Sequence, residues 1–258
     1  MLMRAANVRH VVVPHAVAER GMDAAEYALM DQAESRMWWY RALHTRLAAA
    51  LDGVRGPILD AGCGTGGLLA RLARHEARHR LEFNAAAAAL AARKSGAAIT
   101  RGSINAMPYA SATFAAVVSA DVLCHAAVDP AVALAEIRRV LQPGGRLVLN
   151  LPAYQWLMST HDRRVHNTRR FSAATARALL HQAGFAPVRT RYWNSLLFPL
   201  MLLQRKLLAT DDDAASDVAA FSPWLDATLH GITRVESHLP ALPFGGSVLV
   251  IATSPGPP

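Results

Sequence analysis

Hydrophobic and polar positions along the chain fall into alternating short apolar runs and helical spacings. Phe114-Ala-Ala-Val-Val-Ser-Ala120 is a continuous apolar run, as expected of a central strand covered on both faces. Ile58-Leu59, Arg146–Leu151, Ala186–Trp193 and Ser247–Thr253 read as further strands, with shorter ones at Arg80–Phe83 and Ile99–Arg101. Between them lie helical patterns. Val132, Leu134, Ile137, Val140 and Leu141 make one apolar face over Asp129–Leu141, with Arg138 and Arg139 outward. Ala85–Ser95 is alanine-dense and stops at Gly96; Ser172–Ala183 starts at a capping serine and stops at Gly184. Strands alternating with helices predict a doubly wound α/β sheet.

The joint between the first strand and its helix carries the chemistry. Asp60-Ala-Gly-Cys-Gly-Thr-Gly66 places Gly62, Gly64 and Gly66 in a turn where no Cβ blocks a ligand from the backbone. A helix N-terminus there supplies free N–H groups and the positive end of a dipole, so a polar or anionic group is expected on it. Gly62, Gly64 and Gly67 also satisfy the dinucleotide spacing G-x-G-x-x-G. Asp60 tilts the choice, because a carboxylate repels a pyrophosphate and attracts an ammonium group. A plain strand–turn–helix connection is the alternative.

The segment resembles motif I of class I S-adenosylmethionine (SAM) methyltransferases. A second stretch resembles the family independently: the Asp129–Leu141 helix, Gln142-Pro-Gly-Gly145 and the strand at Arg146–Leu151. The resemblance implies a seven-stranded sheet, mostly parallel, with Ser247–Thr253 as an antiparallel last strand, and SAM as cofactor. It implies cofactor contacts from Asp60, Gly62, Cys63, Gly64 and Gly66. Glu82, 22 residues after Asp60, falls where an acidic residue meets ribose hydroxyls, with Phe83 beside it. In Gly102-Ser-Ile-Asn-Ala-Met-Pro108 the family's adenine-binding Asp is replaced by Ser103, with Ile104 placed to flank the ring. Arg80 and Ala115 also depart from the family pattern. Asp121 and His125 follow the carboxyl end of the Phe114–Ala120 strand, where cofactor and substrate meet in such sheets.

Residues 1–22 read as an N-terminal arm, 23–51 as a helical lid and 52–258 as the SAM-binding domain, with an insertion over 195–245 before the last strand. In Glu34-Ser-Arg-Met-Trp-Trp-Tyr40 three consecutive aromatics cannot all face one stripe, so two buried and one exposed are expected, or a lid on the ligand with Trp38 toward the substrate. His161-Asp-Arg-Arg-Val-His-Asn-Thr-Arg-Arg-Phe171 is the densest polar cluster. Its Arg169 and Arg170 suit a carboxylate or phosphate, and His161 and His125 are the candidate bases. A solvated loop and a satisfied loop histidine are the plainer alternatives. Leu196-Leu-Phe-Pro-Leu-Met-Leu-Leu203 reads as core first, otherwise as the wall of a lipid-sized pocket or a membrane-surface patch.

Composition changes this little. The net charge of +8 comes from 27 basic residues of which only Lys94 and Lys206 are lysine, without a basic, aromatic-interleaved run. No nucleic-acid partner is expected. Cys63 and Cys124 have neither disulfide nor metal spacing, so no metal is expected and a reducing cytoplasm suits both. No run reaches the ~20 apolar residues of a membrane span. The expected activity is in-line methyl transfer to a small-molecule or lipid-like acceptor, anionic and partly hydrophobic, by a monomer or homodimer. An NAD(P)-dependent oxidoreductase and a non-catalytic SAM-binding protein of the same fold are the alternatives.

Overall fold

The computed structural model describes residues 24–72, 78–96, 98–203 and 222–255. The arm expected over 1–22 and residues 204–221 of the expected insertion lie outside them. Seven strands form one sheet: β1 (Ile58–Ala61), β2 (Arg78–Glu82), β3 (Thr100–Arg101), β4 (Phe114–Ala120), β5 (Leu141–Pro152), β6 (Val188–Trp193) and β7 (Ser247–Thr253). Their order is β3-β2-β1-β4-β5-β7-β6. β7 runs antiparallel to both neighbours and the other pairings are parallel, as the sequence resemblance implied.

Strand pleating divides the apolar residues between two cores. Leu59, Ala61, Val117, Leu147, Leu149, Val248 and Val250 face one side, with α5 (Pro130–Val140) and α7 (Ala173–Gln182). Ile58, Ala116, Val118, Val148 and Trp193 face the other, against Leu43 and Leu47 of α2 (Trp38–Ala50) and Leu68 of α3 (Gly67–Arg71). α1 (Ala24–Ala33) precedes α2, and α4 (Ala85–Ser95) follows β2. The expected caps are in place: Gly96 at φ 64° ends α4, and Ser172 opens α7 with a capping box to Thr175. Asn84, not anticipated, caps the start of α4.

Boundaries moved where pairing overrode composition. β5 begins at Leu141, paired with Phe114 ahead of a bulge, so the Gln142–Gly145 turn lies inside an irregular strand. α3 is described only to Arg71. After β6 the chain forms α8 (Phe198–Leu203) and α9 (Pro223–Ser237), the latter packed on α2. Glu236 of α9 accepts the N–H groups of Asn194, Ser195 and Leu196 at 2.7–3.1 Å, which fixes the exit from β6. A short helix α6 (Thr160–Arg164) lies between β5 and α7. No described helix is long and apolar enough to cross a membrane.

Candidate active site

A cavity of about 650 Å³ opens at the carboxyl ends of β1, β2, β4 and β5. It brings together Trp38, Asp60, Gly62, Cys63, Gly64, Glu82, Phe83, Ser103, Ile104, Asp121, His125, His161 and Arg170 from sites spread over the whole chain. Gly66 and Arg169 do not line it.

The glycine turn differs in one respect from its sequence reading. Gly62 and Cys63 donate their N–H groups to the Leu81 carbonyl at 2.8 and 3.0 Å, Gly64 donates to Glu82 Oε2 at 2.8 Å, and Gly66 donates to the Cys63 carbonyl at 3.0 Å. Four N–H groups of the turn are therefore used within the fold, three of them tying it to β2. What remains is close approach: Gly62 and Gly64 have φ of 85° and 55° and line the cavity. Gly66, at φ 91°, instead lets α4 come close, since a Cβ there would lie 3.2 Å from Ala91 Cα.

The electrostatics of this end are acidic. Asp60 is buried and its Oδ2 has no hydrogen-bond partner among the described residues. Burial, reinforced by Glu34 and Glu82 and opposed by Arg80, pushes its carboxyl up to about 8. Glu82 accepts from Gly64 and from the Asn84 N–H, each at 2.8 Å, one bond per oxygen, so each oxygen keeps a lone pair for a hydroxyl. Burial also raises the Cys63 thiol, keeping it protonated.

Glu34 was not singled out from the sequence. It comes from the turn between α1 and α2, and its Oε2 accepts from Thr65 Oγ1 at 2.5 Å and Lys94 Nζ at 2.7 Å. Lys94 also meets Asp31 at 2.7 Å. A Cβ on Gly67 would lie 2.6 Å from Glu34 Cδ and 2.7 Å from His44 Cε1, so Gly67 lets the α1–α2 segment pack against the glycine turn. The latch has a measurable consequence. Glu34→Ala is expected to speed proteolytic cleavage in the 34–37 turn about tenfold, since a charge-assisted hydrogen bond contributes ~1.5–3 kcal/mol against local opening. Unchanged cleavage would mean that the apolar stripe of α2 alone holds this segment.

The aromatic trio departs from the arrangement of two buried and one exposed, and all three rings line the cavity. Trp38 is buried against Leu197 and Leu229, Trp39 stacks on Trp193 at 6.0 Å, and Tyr40 meets Trp39 edge-on at 5.0 Å. None is exposed, because α2 is covered by the sheet on one side and α9 on the other.

At the end of β4, Asp121 adopts φ 53°, unusual for a residue with a side chain. Both its oxygens accept from Asn150 Nδ2 at 3.0 Å, and Asn150 Oδ1 accepts from Trp193 Nε1 at 2.8 Å. Burial pushes Asp121 up to about 7 despite Asn150. His125 Nδ1 lies 3.0 Å from the Val165 carbonyl. Only an N–H can serve that oxygen, so the neutral ring keeps its lone pair on Nε2. Burial pushes His125 down to about 4, which keeps it neutral. Ser103 Oγ accepts the Asn105 N–H at 3.1 Å and retains its own proton for donation.

The arginines are a correction. Arg169 Nη1 donates to the carbonyls of Leu123, His125 and Val128 at 2.7–3.0 Å, so it organises the loop that carries His125. Arg170 lines the cavity, but its Nη1 donates to both Asp162 oxygens, Oδ1 at 3.0 Å and Oδ2 at 2.9 Å, and its Nε to the Ala153 carbonyl; the two side chains are 5% and 3% exposed. The anion clamp expected of this pair is thus already filled from within. Helix α6 causes this, its Ser159–Asp162 capping box holding the acid against the arginine. Among the described residues no group of His, Cys, Asp or Glu is arranged to hold a metal ion.

The strand order with its antiparallel β7, and the cleft at the strand ends, are those of the Rossmann-like methyltransferase fold. Residues 59–149 match the family model described as a methyltransferase domain. No curated protein matches the chain by sequence. Solved structures do. A Thermotoga maritima SAM-dependent methyltransferase, described as a possible histamine N-methyltransferase, aligns with 93% of this chain and 98% of its own at 18% identity and TM-score 0.56. Geranyl diphosphate C-methyltransferase of Streptomyces coelicolor, solved with Mg2+, geranyl diphosphate and S-adenosyl-L-homocysteine, covers 83% of this chain and 79% of its own at 17% identity and TM-score 0.57. A (4+2)-cyclase, SpnF, covers 85% and 83% at 20% identity and TM-score 0.56. The resemblance read from the motifs therefore holds for the fold, and one fold neighbour carries out a different reaction.

Proposed function

We propose that the chain is a SAM-dependent methyltransferase acting on a small-molecule acceptor. The observation that carries this is the character of the glycine turn: the N–H groups of Gly62, Cys63, Gly64 and Gly66 are bonded within the fold, and beside it stands the buried Asp60 carboxyl, whose Oδ2 has no hydrogen-bond partner among the described residues. Such a site disfavours a pyrophosphate and favours a ligand with an ammonium group, which separates SAM from a dinucleotide. SAM, when bound, supplies a methyl group already activated on a sulfonium. In this reading Asp60 takes the ammonium, and Gly62 and Gly64 let the ligand lie against backbone. Glu82 accepts from ribose hydroxyls with its remaining lone pairs. Phe83 and Ile104 flank the adenine, with the Ser103 hydroxyl as a donor at its edge. The lid of α1 and α2 excludes water. An acceptor atom that carries a proton passes it to Nε2 of His125 or to His161. Because His125 is pushed so low, it serves an acceptor that ionises readily.

Calorimetric titration with SAM, S-adenosylhomocysteine and NAD is the test. Binding of the first two without NAD is expected, together with a product one methyl group heavier when cell extract and SAM are supplied and screened by mass spectrometry. NAD binding without SAM binding would sink the reading. Tight SAM binding with no methylated product from any acceptor would favour a non-catalytic protein of this fold, a reading to which the cyclase neighbour lends weight.

A further inference from the structure

The end of β4 presents a carboxylate that the fold leaves without a counter-charge. Asp121 lines the cavity and keeps part of its surface accessible although protein encloses it deeply, so the cavity is what reaches it. Its orientation is built by two residues distant in the chain. Trp193 Nε1 donates to Asn150 Oδ1 at 2.8 Å, which fixes the amide so that Nδ2 meets both Asp121 oxygens at 3.0 Å. An amide orients a carboxylate without neutralising it. Three other carboxylates of the cavity have cations: Glu34 has Lys94 at 2.7 Å, Asp162 has Arg170 at 2.9 Å and Glu26 has Arg164 at 3.7 Å. Asp121 has no ion-pair partner among the described residues, and Arg170, whose charge also acts on it, is bound to Asp162. Tyr40 lines the same cavity. Burial, with the charges of Glu34, Asp121 and Glu26, pushes its phenol up. A field that disfavours a phenolate there favours a positive charge on a ligand.

We propose, building on the methyltransferase reading, that Asp121 anchors the acceptor and that the acceptor is an amine, which docks as its ammonium. Asp60 and Glu82 serve the cofactor in that reading, so Asp121 is the carboxylate of the cavity left for a second cation. The ammonium donates to the carboxylate and passes it one proton, leaving Asp121 as the acid and the nitrogen lone pair free for the methyl group. Asp121, pushed up to about 7, holds a proton more firmly than His125, pushed down to about 4, so for this acceptor the carboxylate serves as the base. A neutral acceptor leaves the buried charge uncompensated, and an anionic one adds to it.

The test uses three probes with one body and different heads: phenethylamine, phenethyl alcohol and hydrocinnamate. They are titrated calorimetrically at pH 8, where the amine is charged, into protein saturated with S-adenosylhomocysteine, which fills the Asp60 and Glu82 end. The ammonium is expected to bind at least about tenfold more tightly than either of the others, a result that needs no variant. Asp121→Asn suits the positive φ and keeps an oxygen for Asn150, so it is expected to melt with the wild type. It should abolish the preference for the ammonium and leave S-adenosylhomocysteine affinity unchanged. Alcohol or carboxylate binding as tightly as the ammonium, no binding of the ammonium, or a preference that survives in Asp121→Asn would overturn the assignment. So would a variant in which the ratio of SAM to S-adenosylhomocysteine affinity falls about tenfold, because the charge would then serve the sulfonium. Titration of S-adenosylhomocysteine alone separates the two proposals: protein that prefers the ammonium but does not take S-adenosylhomocysteine keeps the amine site and loses the methyltransferase reading.

Discussion

Asp60→Asn is expected to weaken SAM binding about a hundredfold, because a desolvated charge pair that loses one partner costs roughly 3 kcal/mol. The pH dependence makes the prediction specific. Asp60 is pushed up to about 8 in the ligand-free protein, so near neutrality its carboxyl is largely protonated. An ammonium group binds the carboxylate form. SAM affinity should therefore fall as pH drops below about 8, by up to about tenfold per unit, with a proton released on binding. Calorimetry in buffers of different ionisation enthalpy would count that proton. In Asp60→Asn the affinity should be weak and nearly flat with pH. Stability provides a second readout. A carboxyl raised in the folded state stabilises the fold when protonated, and that contribution is lost as pH rises from about 4 through about 8. The ligand-free variant should lack this loss and melt at least as high as the wild type at pH 8. A variant that binds SAM normally would remove Asp60 from the cofactor site.

Arg170→Met is expected to lower the melting temperature by about 10 °C, since breaking a buried ion pair on one side costs ~3–5 kcal/mol in a domain of this size. The reason is the partner left behind. Burial alone would raise Asp162, but the Arg170 guanidinium and the Ser159 hydrogen bonds hold it below the usual carboxylate range. In the wild type its contribution is complete above about pH 4 and is lost as pH falls through the lowered value. Without Arg170 the sign reverses: Asp162 becomes a buried carboxylate with raised affinity for its proton, and the variant should lose stability as pH rises. Adding Asp162→Asn to Arg170→Met should recover most of the loss. Thermal melts of the three variants between pH 4 and pH 8 would show it. Full stability of Arg170→Met with impaired acceptor use would restore the anion clamp read from the sequence.

The arginine cluster shows where sequence reading stopped. From His161 to Phe171 the residue types suggested a basic patch, and nothing in the linear order said that Asp162 turns back onto Arg170 or that Arg169 faces three carbonyls. A charge is visible in sequence; whether it is already spent depends on a contact. Glu34 was hidden for the same reason, since its partners Thr65 and Lys94 lie 31 and 60 residues away. Asp121 was placed at its strand end, but its partner Asn150 lies 29 residues away and is itself fixed by Trp193.

What the chain determined by itself was everything set by short-range physics. Apolar runs placed β1, β4, β5 and β7 to within a few residues, because a strand covered on both faces is apolar throughout, and amphipathic repeats placed the helices. β2, β3 and β6 carry polar residues and were placed by their position between helices. The spacing of Asp60, Gly62, Gly64 and Gly66 located the cavity, since only glycine allows backbone to approach a ligand there. Tertiary structure decided what each polar atom was free to do. The glycine turn kept its shape while Gly62, Cys63 and Gly64 gave their N–H groups to Leu81 and Glu82, which leaves a surface of close contact beside the buried Asp60 carboxyl. Hydrogen bonds saturate: a group that has found its partner inside the fold offers less to a ligand, and the partner is usually distant in the chain.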